Sequence, residues 1–269
     1  MANTLFIGKV YHRFDELPST NDWALELIAA PASSGQGAAK SKPPEGTVVR
    51  ADSQSAGRGQ FGSRWESERG KNLLLSVILR PTWLEAKAQF YLSMAVALAL
   101  RDTVADALST VKWPNDLCLG ARKTAGILIQ NSLSGQFLQT SVVGIGLNVN
   151  QMEFDPALPN PTSLALFFGK KFELDEITEC IFERLERRYL QLKSGQRAAI
   201  KAEYERALYR LGKPSKFVRA ADNSEFGGII RGVTEEGRLR VETETGGETF
   251  EVKEVRLLHS SDDFDSSEE

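Results

Sequence analysis

Three observations on this 269-residue chain predict an α+β fold with a mixed or antiparallel sheet and a small second β unit. Strand-like segments outnumber helical ones through the middle of the chain, and they follow one another as hairpins rather than alternating with helices. Residues 84–108 have the length and Ala/Leu content of one core helix. After Gly212-Lys213-Pro214 the helical pattern stops, and only short strands and turns remain. A composition of 41% hydrophobic and 26% charged residues is that of a globular protein with a sizeable core, which excludes a wholly disordered chain.

Taken in order, residues 5–14 read as a strand. Leu17-Pro18-Ser19-Thr20-Asn21 follows, polar helix-start chemistry ahead of a helix carrying Trp23, Leu25, Leu27 and Ile28. Residues 31–46 hold no aliphatic side chain beyond Ala, too little apolar surface to offset the entropy of ordering them, and are expected to form a mobile loop. Strands are expected at 47–51 and, fully buried, at 73–79. The core helix over 84–108 leads into short strands at 111–113, 117–119 and 126–129 and a longer one at 137–149. Helices return at 177–192 and 197–208. The predicted organisation is therefore a larger domain over 1–210 and a β module over 211–259, with turns at Asn223, Gly237 and Gly246-Gly247. Residues 260–269, with five acids and no base, read as a disordered tail.

The formal charge of −3 excludes a strongly basic nucleic-acid coat, so no nucleic-acid partner is expected. That total divides unevenly. Residues 211–259 carry eight bases against nine acids, so with the acidic tail set aside the first 210 residues stand at +3. The longest aliphatic stretch, 90–100, is far short of the roughly 20 residues a membrane-spanning helix needs, and no apolar secretory core follows the N-terminus. A cytoplasmic location without a membrane partner is expected. Cys118 and Cys180 are too few for a disulfide scaffold and show no zinc-ligand spacing, so both are read as reduced thiols.

Four segments combine glycine with polar or cationic residues beside apolar strands. In Gln54-Ser55-Ala56-Gly57-Arg58-Gly59-Gln60-Phe61-Gly62-Ser63-Arg64-Trp65, three glycines in six positions let backbone amides approach a ligand, with Arg58 and Arg64 as fixed charges and Trp65 as an apolar face. A flexible surface loop or an RNA-binding patch has the same composition. Lys112-Trp113-Pro114-Asn115-Asp116 gathers a cation, an aromatic ring, an amide and a carboxylate, although Pro-Asn-Asp is also ordinary turn chemistry. Arg122-Lys123-Thr124-Ala125-Gly126-Ile127-Leu128 sets a lysine at the mouth of an apolar strand. In Val142-Val143-Gly144-Ile145-Gly146-Leu147-Asn148, glycines two apart strip one strand face of side chains, leaving room for a flat ligand or a close-packed helix.

Together and in this order, from Ser19 to Asn148, these segments resemble the biotin protein ligase family, and the β module resembles its SH3-like β-barrel C-terminal domain. The resemblance implies the class II synthetase-like catalytic fold shared by biotin and lipoate ligases. It implies an enzyme that joins biotin to ATP, with Mg²⁺, and passes the biotinyl group to a lysine of the biotin carboxyl carrier domain of acetyl-CoA carboxylase. By the same resemblance, Ser19, Thr20, Asn21, Gln54, Gly57 and Gly126 belong to the biotin site, with Gly144 and Gly146 as its flat floor. Arg58 and Lys123 serve both substrates and are the first candidates for catalysis, Lys123 between the biotin carboxylate and the α-phosphate. Gln60, Arg64, Trp65 and Asn148 fall on the ATP side. Asp116 and Lys112 are assigned to the transfer step, Asp116 orienting or deprotonating the acceptor amine and Lys112 steadying negative charge. No metal ligand is assigned.

Two segments depart from the family pattern. Gln60 and Ser63 stand where arginines are common, which lowers the loop's charge and makes a leakier adenylate an expectation. Lys253-Glu254-Val255-Arg256-Leu257-Leu258 replaces the usual Gly-Glu-x-Ser-Leu-Arg, which leaves an ATP contact by Arg256 without a counterpart in the pattern. The rival readings are a lipoate ligase or octanoyl transferase of the same fold, a biotin-sensing repressor, and an inactive scaffold. The chain lacks the Arg-Arg-x-Ser-Gly-Gly-Gly segment of lipoate ligases. Only 18 residues precede Ser19, too few for a helix-turn-helix domain, so a single-function enzyme is expected. Intact Lys123 and Arg58 speak against the scaffold. An edge strand beside the glycine loop leaves a homodimer open.

Overall fold

The computed structural model describes residues 2–30 and 42–258. Most of the loop expected at 31–46, His259 and the acidic tail at 260–269 lie outside the described residues. The chain forms β1 (Tyr11–Phe14), α1 (Thr20–Ala29), β2 (Val48–Ala51), β3 (Leu73–Leu79), α2 (Phe90–Val104), β4 (Ser109–Lys112), β5 (Asp116–Leu119), β6 (Arg122–Ser134) and β7 (Phe137–Leu147). Three helices follow, α3 (Leu164–Phe168), α4 (Leu174–Lys193) and α5 (Arg197–Arg206). The first seven strands make one sheet in the order β1-β2-β3-β7-β6-β5-β4. Only the β1–β2 pair is parallel, so the sheet is mixed, as the hairpin-like succession predicts.

Strand periodicity divides this sheet into two unlike faces. On one face, Leu73, Leu75, Val77 and Leu79 of β3 join Val143, Ile145 and Leu147 of β7 in a core packed by α2 and α4. Nine residues of α2 are buried there, and Ile181, Phe182, Leu185, Tyr189 and Leu192 form the apolar stripe of α4. Each such side chain contributes roughly 1.5–3 kcal/mol on burial. Arg188 and Arg187 of α4 hold Asp102 of α2 at 2.8 and 2.7 Å. Burial alone would raise the Asp102 carboxyl, but the two guanidinium groups outweigh it and keep it below the ordinary range. The opposite face is covered only in part, by α1 against β2, β3 and β7.

A second, antiparallel sheet contains β8 (Pro214–Arg219), β9 (Glu225–Val233), β10 (Leu239–Thr243), β11 (Gly246–Phe250) and β12 (Val255–Leu257), in the order β11-β10-β9-β8-β12. Phe217, Phe226 and Phe250 stack in its interior at 5.3 and 5.7 Å. The sheet is fastened to the first by Trp113, whose Nε1 donates to the Gly237 carbonyl at 2.8 Å, and by Glu205, which accepts from the Val233 amide at 3.0 Å. Only glycine fits at 237: a Cβ there would fall 2.2 Å from the Phe90 ring.

Several boundaries differ from those expected. The strand expected over 5–14 is confined to Tyr11–Phe14, because the amides of Leu5, Phe6 and Ile7 donate to the buried Glu186 carboxylate at 2.6, 2.8 and 3.0 Å instead of to a neighbouring strand. The helix expected over 84–108 is preceded by a separate 3-10 turn at Ala86–Ala88 and stops at Val104, where Ala105 takes φ +51°. The strand at 126–129 extends over Arg122–Ser134, carried by its hairpin partner β7. Helix α3 has no counterpart in the sequence reading. Ser163 caps it, accepting from the Leu166 amide at 3.1 Å, and Gly169 ends it at φ +66°.

Candidate functional site

The sparsely covered face of the main sheet carries the site. Gly126 of β6 pairs with Gly146 of β7, and Leu128 with Gly144, so three glycines make a floor without side chains. A Cβ added at Gly146 would lie 2.4 Å from the Trp65 indole, and one at Gly126 would lie 2.8 Å from it. One at Gly144 would meet Asn21 Oδ1 at 2.4 Å. The glycines therefore do admit close contacts, as their spacing suggests. The groups resting on them are the protein's own Trp65 and Asn21.

Above this floor is a cavity of about 170 Å³. Typical small-molecule sites are roughly 300–1,000 Å³, so a ligand lying on the glycines requires the Trp65 indole to move aside. One end of the cavity is polar. Gln54 Oε1 accepts from the Thr20 amide at 2.7 Å and from its hydroxyl at 3.1 Å. The Ser76 hydroxyl is 2.6 Å from Asn21 Oδ1 and 2.8 Å from Thr20 Oγ1, and Asn21 Nδ2 donates to Gln130 Oε1 at 2.8 Å. Thr20, Asn21 and Ser76 are buried, so these groups are fixed in place before any ligand arrives. Ser19 also lines the cavity, and its hydroxyl accepts from the Asp22 amide to cap α1.

The other end carries the charge. Lys123 Nζ is 2.7 Å from Asp116 Oδ1, an ion-pair distance without the alignment of a full hydrogen bond, and 5.5 Å from the centre of the Trp65 ring. The Lys123 backbone is fixed on both sides, donating to the Asn160 carbonyl at 2.7 Å and accepting from the Thr162 amide at 2.8 Å. Arg58, Gln60 and Arg64 reach the cavity from the glycine loop. Arg58 pairs with Asp22 at 2.5 Å, and Arg64 donates to the Ser55 carbonyl at 3.2 Å.

Three of the residues named from sequence do not line this cavity. Gly57 closes the loop on itself: its carbonyl accepts from the Trp65 amide at 3.0 Å, and a Cβ would fall 2.3 Å from the Trp65 carbonyl. Asn148 is buried, and its Nδ2 donates to the Thr162 carbonyl at 3.0 Å, so it braces the segment that grips Lys123. Lys112 borders a separate cavity of about 150 Å³ between Trp113-Pro114 and the second sheet. Conversely, Ser76 and Gln130 belong to the polar end without any motif marking them. The register does: Ser76 faces Gly144 across β3 and β7.

Among the described residues, no three His, Cys, Asp or Glu side chains are grouped to hold a metal ion, and Asp116 is the single carboxylate lining the cavity. That donor set suits a magnesium ion held mainly by substrate phosphates rather than a protein cage. Among the same residues, no helix is long and apolar enough to cross a membrane.

Comparison with known proteins agrees with this arrangement. The model of the biotin/lipoate A/B protein ligase family matches residues 33–148. The chain is 34% identical over 258 residues to the bifunctional ligase/repressor BirA of Bacillus subtilis, covering 94% of this chain and 72% of that protein. It is 31% identical over 246 residues to a biotin–[acetyl-CoA-carboxylase] ligase of Paracoccus denitrificans, covering 88% of this chain and 96% of that protein. Among solved structures, it superposes on the biotin protein ligase of Aquifex aeolicus in complex with biotin and ATP with a TM-score of 0.74 at 25% identity, covering 94% of this chain and 100% of that one.

Proposed function

The chain belongs to the biotin/lipoate A/B protein ligase family, and we propose that it works there as a biotin protein ligase. It condenses biotin with ATP to biotinyl-5′-AMP and pyrophosphate, then transfers the biotinyl group to one lysine of the biotin carboxyl carrier domain of acetyl-CoA carboxylase. The observation that carries this reading is one cavity with a fixed polar end, a glycine floor and a lysine at the far end. That sequence of surfaces suits a polar ring head, an apolar chain and a terminal carboxylate.

In the first step a biotin carboxylate oxygen attacks the α-phosphorus and pyrophosphate leaves. A carboxylate ionised at neutral pH needs no base. It needs relief from repulsion against the triphosphate, and Lys123, flanked by Arg58 and Arg64, is suited to give it. A magnesium ion brought with ATP would neutralise triphosphate charge, and Asp116, the carboxylate lining the cavity among the described residues, could help to hold it. The polar end built from Thr20, Asn21, Gln54, Ser76 and Gln130 would meet the ureido head, where each polar group left unpaired costs about 1–3 kcal/mol and so enforces selectivity. In the second step the acceptor amine attacks the acyl carbon, AMP leaves, and the amine gives up a proton. Asp116 is the carboxylate available to orient or accept it. Residues 1–210 would then form the catalytic domain and 211–259 an SH3-like domain, and the reaction is placed in the cytoplasm by this same reading.

The test is ATP- and biotin-dependent labelling of a carboxyl carrier domain by the wild type and by Lys123→Ala, with lipoate as a competitor in ATP–pyrophosphate exchange. Labelling by the wild type alone, unaffected by lipoate, is expected. Exchange driven by lipoate rather than biotin would overturn the assignment.

A further inference from the structure

One contact outside the cavity joins the glycine loop to the second sheet. Phe61, at the tip of the Gln60–Gly62 turn, is 60% exposed and holds φ +56°. Lys253, in the connection between β11 and β12, is exposed and holds φ +74°. The Lys253 ammonium is 4.3 Å from the centre of the Phe61 ring. Both residues occupy the left-handed region, which side chains with a Cβ disfavour, so each backbone is held in place by its surroundings.

The two ends of this contact differ in firmness. The second sheet is anchored beside the site by the Trp113–Gly237 and Glu205–Val233 hydrogen bonds. The loop is a narrow hairpin, with Gly59 and Ser63 joined at 2.7 Å and Arg58 bridged to Arg64, so displacement of its tip moves Arg58, Arg64 and Trp65 together. Its tip, Gln60-Phe61-Gly62-Ser63, carries no charge with which to hold a phosphate.

We propose that Phe61 and Lys253 form a clasp through which the second sheet holds the glycine loop closed over the acyl-adenylate, making both of them positioning residues for retention of the intermediate. The proposal rests on the biotin ligase reading. The clasp acts after adenylate formation: no bond is made or broken through it, and its loss speeds escape of biotinyl-AMP.

The experiment measures release of radiolabelled biotinyl-AMP from the full chain without acceptor, beside biotin-dependent ATP–pyrophosphate exchange. Phe61→Ala and Lys253→Ala should each raise the release rate about two- to five-fold, the scale of an exposed cation–π contact. The double variant should be no faster than either single one, and Lys253→Arg should restore retention. Lys253→Gly relieves the left-handed backbone while deleting the cation, so it should match or exceed the wild type in thermal stability and still release faster. Exchange kcat and KM for ATP should both hold, because the clasp acts after the adenylate has formed. Normal exchange with unchanged release, or additive effects in the double variant, would overturn the clasp alone. Absence of biotin-dependent exchange in the wild type would overturn the ligase reading and the clasp with it.

Discussion

The two faces of the main sheet are written by alternate residues of the same strands and serve opposite purposes. On β3 and β7, Leu75, Val77, Val143 and Ile145 enter a core sealed by α2 and α4, while on the other face Leu74, Gly144 and Gly146 line the cavity and Ser76 is bonded to Asn21 and Thr20 at its edge. The closed face is apolar and tolerates little change in volume. The open face is made of glycines and pre-bonded polar groups, which contribute little packing but leave room for another molecule. If this division is right, substitutions on the open face should cost activity with little stability, and those on the closed face the reverse.

The sharpest break comes at Lys123. Lys123→Ala should lower biotin-dependent pyrophosphate exchange by about 10²–10³-fold, the loss typical of removing one preorganised charge-stabilising group. The Lys123–Asp116 pair is partly exposed, so the urea midpoint should move by no more than about 1 kcal/mol of stability. Leu75→Ala, fully buried on the other face, should do the opposite. Truncation there leaves a cavity and costs about 2–5 kcal/mol by urea unfolding, while the folded fraction keeps its turnover within a few-fold. Equal losses of activity and stability in both variants would remove the contrast.

Asp116 sharpens the same contrast within the open face. From its placement against Lys123 we expect Asp116 to act in adenylate formation as well as in transfer. Asp116→Asn should therefore slow exchange and transfer alike by about tenfold, of the order lost with one hydrogen bond to a charged group. Normal exchange with slow transfer, measured in separate single-turnover experiments, would return Asp116 to the acceptor amine alone.

How much of this was legible in the chain depended on whether the determining partner was local. The strand at Leu73–Leu79 is read without error because six apolar residues, interrupted only by Ser76, announce it. The polar end of β6, Gln130 to Ser134, has no such signal and is a strand only because β7 pairs with it. Residues 5–7 look strand-like, but Glu186, about 180 positions away, satisfies their amides. The site follows the same rule. Glycines, Lys123 and the loop arginines are conspicuous by residue type. Ser76 and Gln130 are ordinary residues that register brings into hydrogen bonds with Asn21, and the indole on the floor is a tertiary fact that Trp65 in a sequence does not disclose.

Acid titration tests the closed side. Asp102 ties α2 to α4, and its folded carboxyl is held below the ordinary range by Arg188 and Arg187 against the opposing effect of burial. A depressed acid favours the fold wherever it is ionised. Its contribution is therefore complete above the unfolded pKa, about 4, and is lost as pH falls from there through the folded value. Asp102→Asn should weaken the protein at pH 7 and flatten the acid limb of the stability curve, with the two proteins converging at the lowest pH. Parallel curves from pH 7 to 2 would show that the brace is mechanical only.

The smallest effect concerns a thiol beneath the site. Cys118 of β5 is buried, and burial, with Asp116 nearby, pushes its thiol up to about 12. Cys180 on α4 is only partly covered. Because the thiolate is the reactive form, iodoacetamide at pH 8 should label Cys180 in the native protein and leave Cys118 untouched until unfolding. Mass spectrometry of the two cysteine peptides over time reads the difference directly. Cys118 faces neither ligand nor solvent, so saturating biotin and ATP should leave its labelling rate unchanged. Faster labelling on ligand binding would mean that movement of Asp116 and Lys123 loosens the packing of β5 around Cys118, so that the buried part of the open face is less rigid than its static packing makes it.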